Sequence, residues 1–235
     1  MIPVLAPEVL DFPAVSSALA EPNGLLAIGG DLSPARLAAA YAQGIFPWFS
    51  DGDPILWWSP DPRAVIFVDR LHISRSLRKF ARQRPYTYSI NKSFAQVMRG
   101  CIEQRQHTDG TWITEEMFAA YCQLHQQGIA HSIEVWQGDT LVGGLYGILQ
   151  GHMFCGESMF HRADNASKLA LLALVRHLEV AGLRLIDCQI PNPHLSSLGA
   201  ETIPRARFID YLNDAKQAKI SQHLLIPQSI SGICD

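Results

Sequence analysis

The sequence predicts an α+β chain: a mixed sheet flanked by helices over residues 63–235, preceded by a small N-terminal α/β domain over residues 1–62. Three observations predict it. Ser132–Trp136, Leu141–Ile148 and Phe154–Phe160 are short apolar runs joined by turns at Gln137-Gly138-Asp139 and Gln150-Gly151, which read as a three-stranded meander. A long helical stripe through Leu171, Leu172, Val175 and Leu178, capped by Asp164 and closed by Gly182, then leads to a strand at Leu183–Ile190. The right-handed crossover rule sets that strand parallel to Phe154–Phe160. Before Pro62 the character changes to a stretch rich in Pro, Gly and Trp.

The remaining elements follow in order. Glu21-Pro22-Asn23-Gly24 is a turn signal. Gly29-Gly30 precedes Ser33-Pro34, an N-cap with proline at the first helical position, and the helix runs past Tyr41 to Gly44. The two glycines lack both the P-loop lysine and the G-x-G-x-x-G spacing, so they read as a turn. Ala64–Val68 is a buried strand, Ile73–Gln83 a helix with Ser74 near its start, Tyr86–Ile90 a strand and Lys92–Gln104 a helix. Another helix opens at Thr114 and ends near Gly128; a last one starts at Pro204.

Composition bounds the function. Of 235 residues, 48% are hydrophobic and 17% charged, which supports a substantial core and argues against disorder. A net charge of −3 excludes a globally basic nucleic-acid coat protein, so any nucleic-acid contact is local. Five cysteines, odd in number and without C-x-x-C, fit small core residues in a reducing cytoplasm. The proline-broken start lacks a basic n-region, and no apolar run reaches the ~20 residues that span a bilayer. The nine histidines are scattered without metal-ligand spacing, so no metal is expected.

Four patterns carry chemistry. Glu157 lies in the Phe154–Phe160 strand, where alternation puts it on one face with Met153, Cys155 and Met159. A carboxylate in an apolar row is costly unless paired, so it is either a strand-end residue facing water or held at the bottom of a cleft. Asp187 and Gln189 share the other face from Ile186, Cys188 and Ile190, and so can act on one bound group or simply face solvent. Trp48, Trp57 and Trp58 fall within eleven residues between prolines, either as packing for a loop-rich domain or as a platform for a nucleobase. Arg75, Arg78, Lys79 and Arg82 recur at i, i+3, i+4 and i+7 in a window with no acid; they form either a solvated face or a seat for a phosphate backbone.

Meander, helix and parallel strand, with polar groups where two strands can separate, resemble an acyltransferase of the GNAT-like superfold. Seven blocks go further: Glu21–Leu32, Gly44–Phe49, Trp57–Arg63, His72–Ser76, Gly110–Thr114, Phe154–Phe160 and Leu185–Gln189. In that order they resemble the bacterial leucyl/phenylalanyl-tRNA–protein transferase family. The resemblance implies transfer of a leucyl or phenylalanyl group, less often methionyl, from leucyl-tRNA or phenylalanyl-tRNA to proteins with N-terminal Arg or Lys. The product carries an N-end rule degradation signal. No coenzyme is implied, because the aminoacyl ester is already activated, and a cytoplasmic monomer without membrane contact is expected. The resemblance assigns Asp187, Gln189 and Glu157 to catalysis, with Gln189 orienting the amine, Asp187 supplying negative field or taking its proton, and Glu157 facing the cationic acceptor. It assigns the aminoacyl pocket to Leu145, Phe154, Gly156, Leu178 and Ile186, the terminal adenine to Trp48 and Trp112, and the acceptor stem to Arg75, Arg78, Lys79 and Arg82. A coenzyme-A acetyltransferase of the same fold is the rival reading, disfavoured because His161–Ala166 contains no glycine for a pyrophosphate loop.

Overall fold

In the computed structural model, which describes residues 2–83, 85–106 and 113–231, the chain builds two sheets. The smaller contains β1 (Val4–Leu5), β2 (Leu25–Gly29), β3 (Phe46–Pro47) and β4 (Leu56–Trp58) in the order β1-β2-β4-β3, with α1 (Pro34–Tyr41) between β2 and β3. The larger contains β5 (Arg63–Phe67), β6 (Thr87–Ile90), β7 (Ala130–Gln137), β8 (Thr140–Gln150), β9 (Met153–His161), β10 (Leu185–Gln189), β11 (Glu201–Ile203) and β12 (Gln228–Ile230). Its order is β11-β5-β10-β9-β8-β7-β6-β12, with β7, β8 and β9 as an antiparallel meander and β9 parallel to β10, as expected. Helices α2 (Arg75–Ala81), α3 (Phe94–Gln106), α4 (Glu115–Gln126), α5 (Ala166–Glu179), α6 (Pro193–Ser196) and α7 (Arg205–Ala215) connect the strands.

Local chemistry explains the helix starts. The hydroxyls of Ser33, Ser74 and Thr114 each accept a backbone N–H at the first turn of α1, α2 and α4. The expected Asp164 cap of α5 is not used. Asn165 holds the cap position at φ 59° without a side-chain bond, a left-handed conformation that asparagine tolerates better than most residues. Strands β1 to β4, β11 and β12 were not expected. They are two to five residues long, too short for alternation to show, and β12 borrows its partner from β6, where it covers what would be an open edge.

Apolar residues cover both faces of the large sheet. One core holds Leu77 of α2, Leu169 to Val175 of α5, and Phe154 and Ile186. The other holds Met98 and Cys101 of α3, Met117 and Tyr121 of α4, and Phe208 of α7. Leu26, Leu37, Tyr41, Ile45 and Trp57 from the first sixty residues belong to that second core, so the small sheet is packed into the large unit.

Two bulges position the polar residues. Tyr146 pairs with Ser158 and Gly147 with Gly156, leaving Glu157 as the extra residue on β9. The bulge reverses the alternation. Met153 and Cys155 face the α3/α4 side before it and Phe160 faces that side after it, whereas Met159 packs on the α5 side. Glu157 and Met159 therefore do not share a face, contrary to the alternation rule. On β10 Asp187 pairs with Val65 and Gln189 with Ala64, which leaves Cys188 as the extra residue.

The β9 bulge demands glycine opposite it. A Cβ at Gly147 would lie 2.2 Å from the Cys155 carbonyl oxygen and 2.6 Å from the Phe154 ring. Gly147→Ala should therefore lower stability by about 1–3 kcal/mol, seen as a lower urea midpoint. An unchanged midpoint would show that the bulge does not need the bare backbone.

Candidate active site

β9 and β10 pair through Leu185–Met153, Ile186–Phe154 and Asp187–Cys155, and beyond the last pair they part. A cavity of about 380 Å³ opens there. Ile66, Leu145, Phe154, Leu171 and Ile186 give it apolar walls; Glu157, Asp187, Gln189 and Arg105 bring polar groups to it; Trp48, Ile190 and His194 also line it. An apolar hole with a few convergent polar groups is the usual form of a small-molecule site.

Asp187 is fully buried and held by an equally buried Arg63. Nε and Nη2 of Arg63 donate to its two oxygens at 2.7 Å each, a bidentate pair. Nη1 of Arg63 donates to the Gly44 carbonyl (3.0 Å), and the guanidinium lies over the rings of Phe46 and Phe208, 4.9 and 4.5 Å from their centroids. The Gln189 N–H donates to Asp187 Oδ1 at 3.0 Å. Asp187, which the resemblance sets at the acceptor amine, thus has its charge matched by Arg63 and both oxygens bonded to protein donors.

Gln189 is turned by this arrangement. Its φ is 55°, a region few non-glycine residues adopt, and Ile190 N–H donates across it to the Cys188 carbonyl at 2.7 Å. Asp187 and Gln189 do not simply share a strand face. The turned Gln189 sends its side-chain Nε2 to Glu157 Oε1 at 3.2 Å.

Glu157 collects a second donor. The Tyr121 hydroxyl bonds to Oε2 at 3.1 Å, and the Tyr41 hydroxyl bonds in turn to that of Tyr121. Burial pushes the Glu157 pKa up to about 7; the tyrosine hydroxyls oppose the rise, and Asp187 adds to it. Loss of solvent is the larger cause, ahead of the neighbouring carboxylate. Burial and the Glu157 charge in turn hold Tyr121 and Tyr41 well above the usual phenol range, so both remain donors.

The other expected residues are distributed as follows. Leu145, Phe154, Gly156 and Ile186 line the cavity. Leu178 does not: it is buried in the α5 core, and Leu171, two turns earlier on the same helix, stands on the wall instead. Trp48 is 42% exposed at the cavity and tilts on Trp58, whose indole N–H holds the Trp48 carbonyl (2.7 Å). Trp57 is fully buried, so packing claims that residue. Trp112 lies outside the described residues. Arg75, Arg78, Lys79 and Arg82 are exposed and border one depression with Ile73. Sequence reading missed Arg63, Tyr41, Tyr121 and Leu171. For Arg63 the signal was a charge opening the buried run Ala64–Val68; for the tyrosines there was none, because α1 and α4 meet Glu157 only in three dimensions.

The fold and the site define an α+β protein whose cavity sets an apolar hole beside a carboxylate ready to exchange a proton near neutral pH, the equipment of a group-transfer enzyme. A family model described as leucyl/phenylalanyl-tRNA protein transferase matches residues 65–213, and one described as its N-terminal domain matches residues 30–61. The leucyl/phenylalanyl-tRNA–protein transferase of Idiomarina loihiensis is 58% identical over 220 residues, 94% of this chain and 93% of that one. That of Pseudomonas aeruginosa PAO1 is 60% identical over 202 residues, 86% and 89%. The chain belongs to the leucyl/phenylalanyl-tRNA–protein transferase family.

Breaking the buried pair should be costly, because one partner's charge remains inside without compensation. Arg63→Met is expected to lose about 3–5 kcal/mol in urea denaturation. Arg70→Met, at an exposed pair with Glu201 (2.8 Å), should lose under about 1 kcal/mol. Equal losses would show that Arg63 and Asp187 are not bound as described.

Proposed function

We propose that the protein moves a leucyl or phenylalanyl group, and less readily methionyl, from the 3′ adenosine of its tRNA to the α-amine of proteins that begin with Arg or Lys. The reading is carried by one juxtaposition: an apolar hole whose polar wall is the Glu157–Gln189 pair. It is supported by family membership over both halves of the chain. The aminoacyl side chain enters between Leu145, Phe154, Gly156 and Ile186, with Leu171 in the place expected for Leu178. The terminal adenine lies against Trp48, with Trp112 as its second partner, and the acceptor stem lies along Arg75, Arg78, Lys79 and Arg82 by phosphate contacts. The parting of the parallel β9 and β10 supports a GNAT-like relation for residues 63–235, with residues 1–62 as the N-terminal domain. The protein acts as a cytoplasmic monomer and needs no coenzyme.

In this reading Glu157 takes the proton. A peptide α-ammonium has a pKa of about 7.7–8.0, and a carboxylate near 7 accepts from it with a small free-energy step. Gln189 uses Nε2 toward Glu157, which leaves Oε1 to accept from the same amine. Glu157 passes the ammonium's first proton to water; the amine nitrogen then attacks the ester carbonyl carbon, its second proton passes to the ionised Glu157, the carbon–oxygen bond to the ribose breaks, and that oxygen leaves with the proton from Glu157. Asp187 is a positioning residue that fixes the Gln189 turn. The Glu157 charge also draws the cationic acceptor residue toward the cavity.

Transfer of radiolabelled leucine from charged tRNA to a peptide beginning with Arg, without coenzyme A, tests the reading; label should not reach a peptide beginning with Glu. Label on neither, with tRNA still bound, would leave a binding protein. The pH dependence tests the role of Glu157. Activity should rise with pH through about 7 as Glu157 loses its proton, and Glu157→Gln should be slow and keep only the limb set by the peptide amine. Stability should run the other way. A pKa raised from 4.5 to about 7 makes the folded state bind the proton more tightly. Its contribution is therefore full below pH 4.5 and lost by about pH 7, a slope that Glu157→Gln should abolish.

A further inference from the structure

Three basic side chains from three elements gather beside the cavity, close enough for two of them to act on the third. His194, on α6, lines the cavity itself. Past the bulge, β9 alternation puts His161 on the face of Met159, which also lines it. Lys168 stands one turn before the lining residue Leu171 on the same face of α5. Among the described residues the side chains of His161, Lys168 and His194 make no hydrogen bond or ion pair, although the His161 N–H donates to Gln104 Oε1 and the His194 carbonyl accepts from Ser197 Oγ. Lys168 also sits in the first turn of a fourteen-residue helix, where a cation opposes the dipole. The acid nearest in sequence, Asp164, is exposed. The three groups feel one another: burial first, then the Lys168 and His161 charges, hold the His194 pKa below its ordinary range. Basic groups gathered this way keep the His194 ring neutral until an anion arrives to favour its protonation.

We propose that His161, Lys168 and His194 form an anion subsite for the backbone phosphates of the donor's 3′ strand, next to the terminal adenosine. The proposal rests on the reading of the cavity as the aminoacyl hole. Charge decides between the two macromolecules that must meet here. The acceptor end brings an α-ammonium and an Arg or Lys side chain, which Glu157 attracts and this rim repels. The donor brings its ester to the same point, and its negatively charged strand has to leave along the rim. The basic face of α2 is a separate patch, bordered by none of these residues.

The test compares two donors, leucyl-CCA and leucyl-adenosine; the second has no phosphate. Lys168→Ala should lower the ratio of kcat/KM for the first over the second by roughly fivefold, acting through KM. Lys168→Glu should lower it further, Lys168→Arg should restore it, and the salt slope for leucyl-CCA should fall by about 0.7 per lost contact. Equal losses with both donors would overturn the subsite in favour of a structural role. An unchanged ratio with an altered KM for acceptors carrying acidic residues would overturn it in favour of a peptide contact. Wild-type enzyme inactive with charged tRNA would overturn the transfer reading itself. One measurement needs no variant: adding unacylated CCA should raise the His194 pKa in a histidine-ring NMR titration, and no change would overturn the proposal.

Discussion

The buried pair of Arg63 and Asp187 is the interaction on which the site depends. Two charges removed from water incur a desolvation cost that their attraction offsets only when the remaining donors and acceptors are satisfied. Here the guanidinium bonds to both carboxylate oxygens and to Gly44, and lies over two aromatic rings. The carboxylate adds the Gln189 N–H. That last bond holds a left-handed turn at a non-glycine residue, a conformation that costs of order ~1–3 kcal/mol and persists only where its surroundings over-determine it. A strained turn supported by a buried ion pair thus aims one amide at one carboxylate.

Two carboxylates lie at the same parting of strands and have opposite characters, set by their partners. Asp187 faces a permanent cation that matches its charge. Glu157 faces neutral hydroxyls and an amide, in a place where burial disfavours its charged form, and so it titrates near neutrality. The resemblance gave the aspartate the negative field or the proton at the amine and the glutamate the cationic acceptor. The difference lies in who sits opposite, and Arg63 is 124 residues away from Asp187 along the chain.

The meander and α5 were legible because periodicity over eight or more residues leaves little choice, and the crossover rule gave the five-residue β10 its direction. Blocks such as Phe154–Phe160 and Leu185–Gln189 also located the two strands that carry the site. What alternation could not supply was the effect of an inserted residue. Glu157 and Cys188 are each the extra residue of a bulge, and a count of two per face fails at that point. The sign was present in Gly147, a glycine inside a strand, but it did not say which residue opposite would be displaced. Leu178 and Leu171 share one helical stripe, and only the tilt of α5 against the cavity decides which of them reaches it.

The first sixty residues contribute to the site in a way their length does not suggest. Tyr41 on α1 completes the hydroxyl chain to Glu157, and the Gly44 carbonyl takes one arm of Arg63. Arg205 reaches back to the Ser59 carbonyl from α7 (2.6 Å). The small sheet is thus part of the site's support and not an accessory to it. An exchange of residues 1–62 between two members of the family is a graft into the neighbourhood of the titrating carboxylate, and it succeeds only where the tyrosine, the glycine and the surfaces beneath them are inherited together.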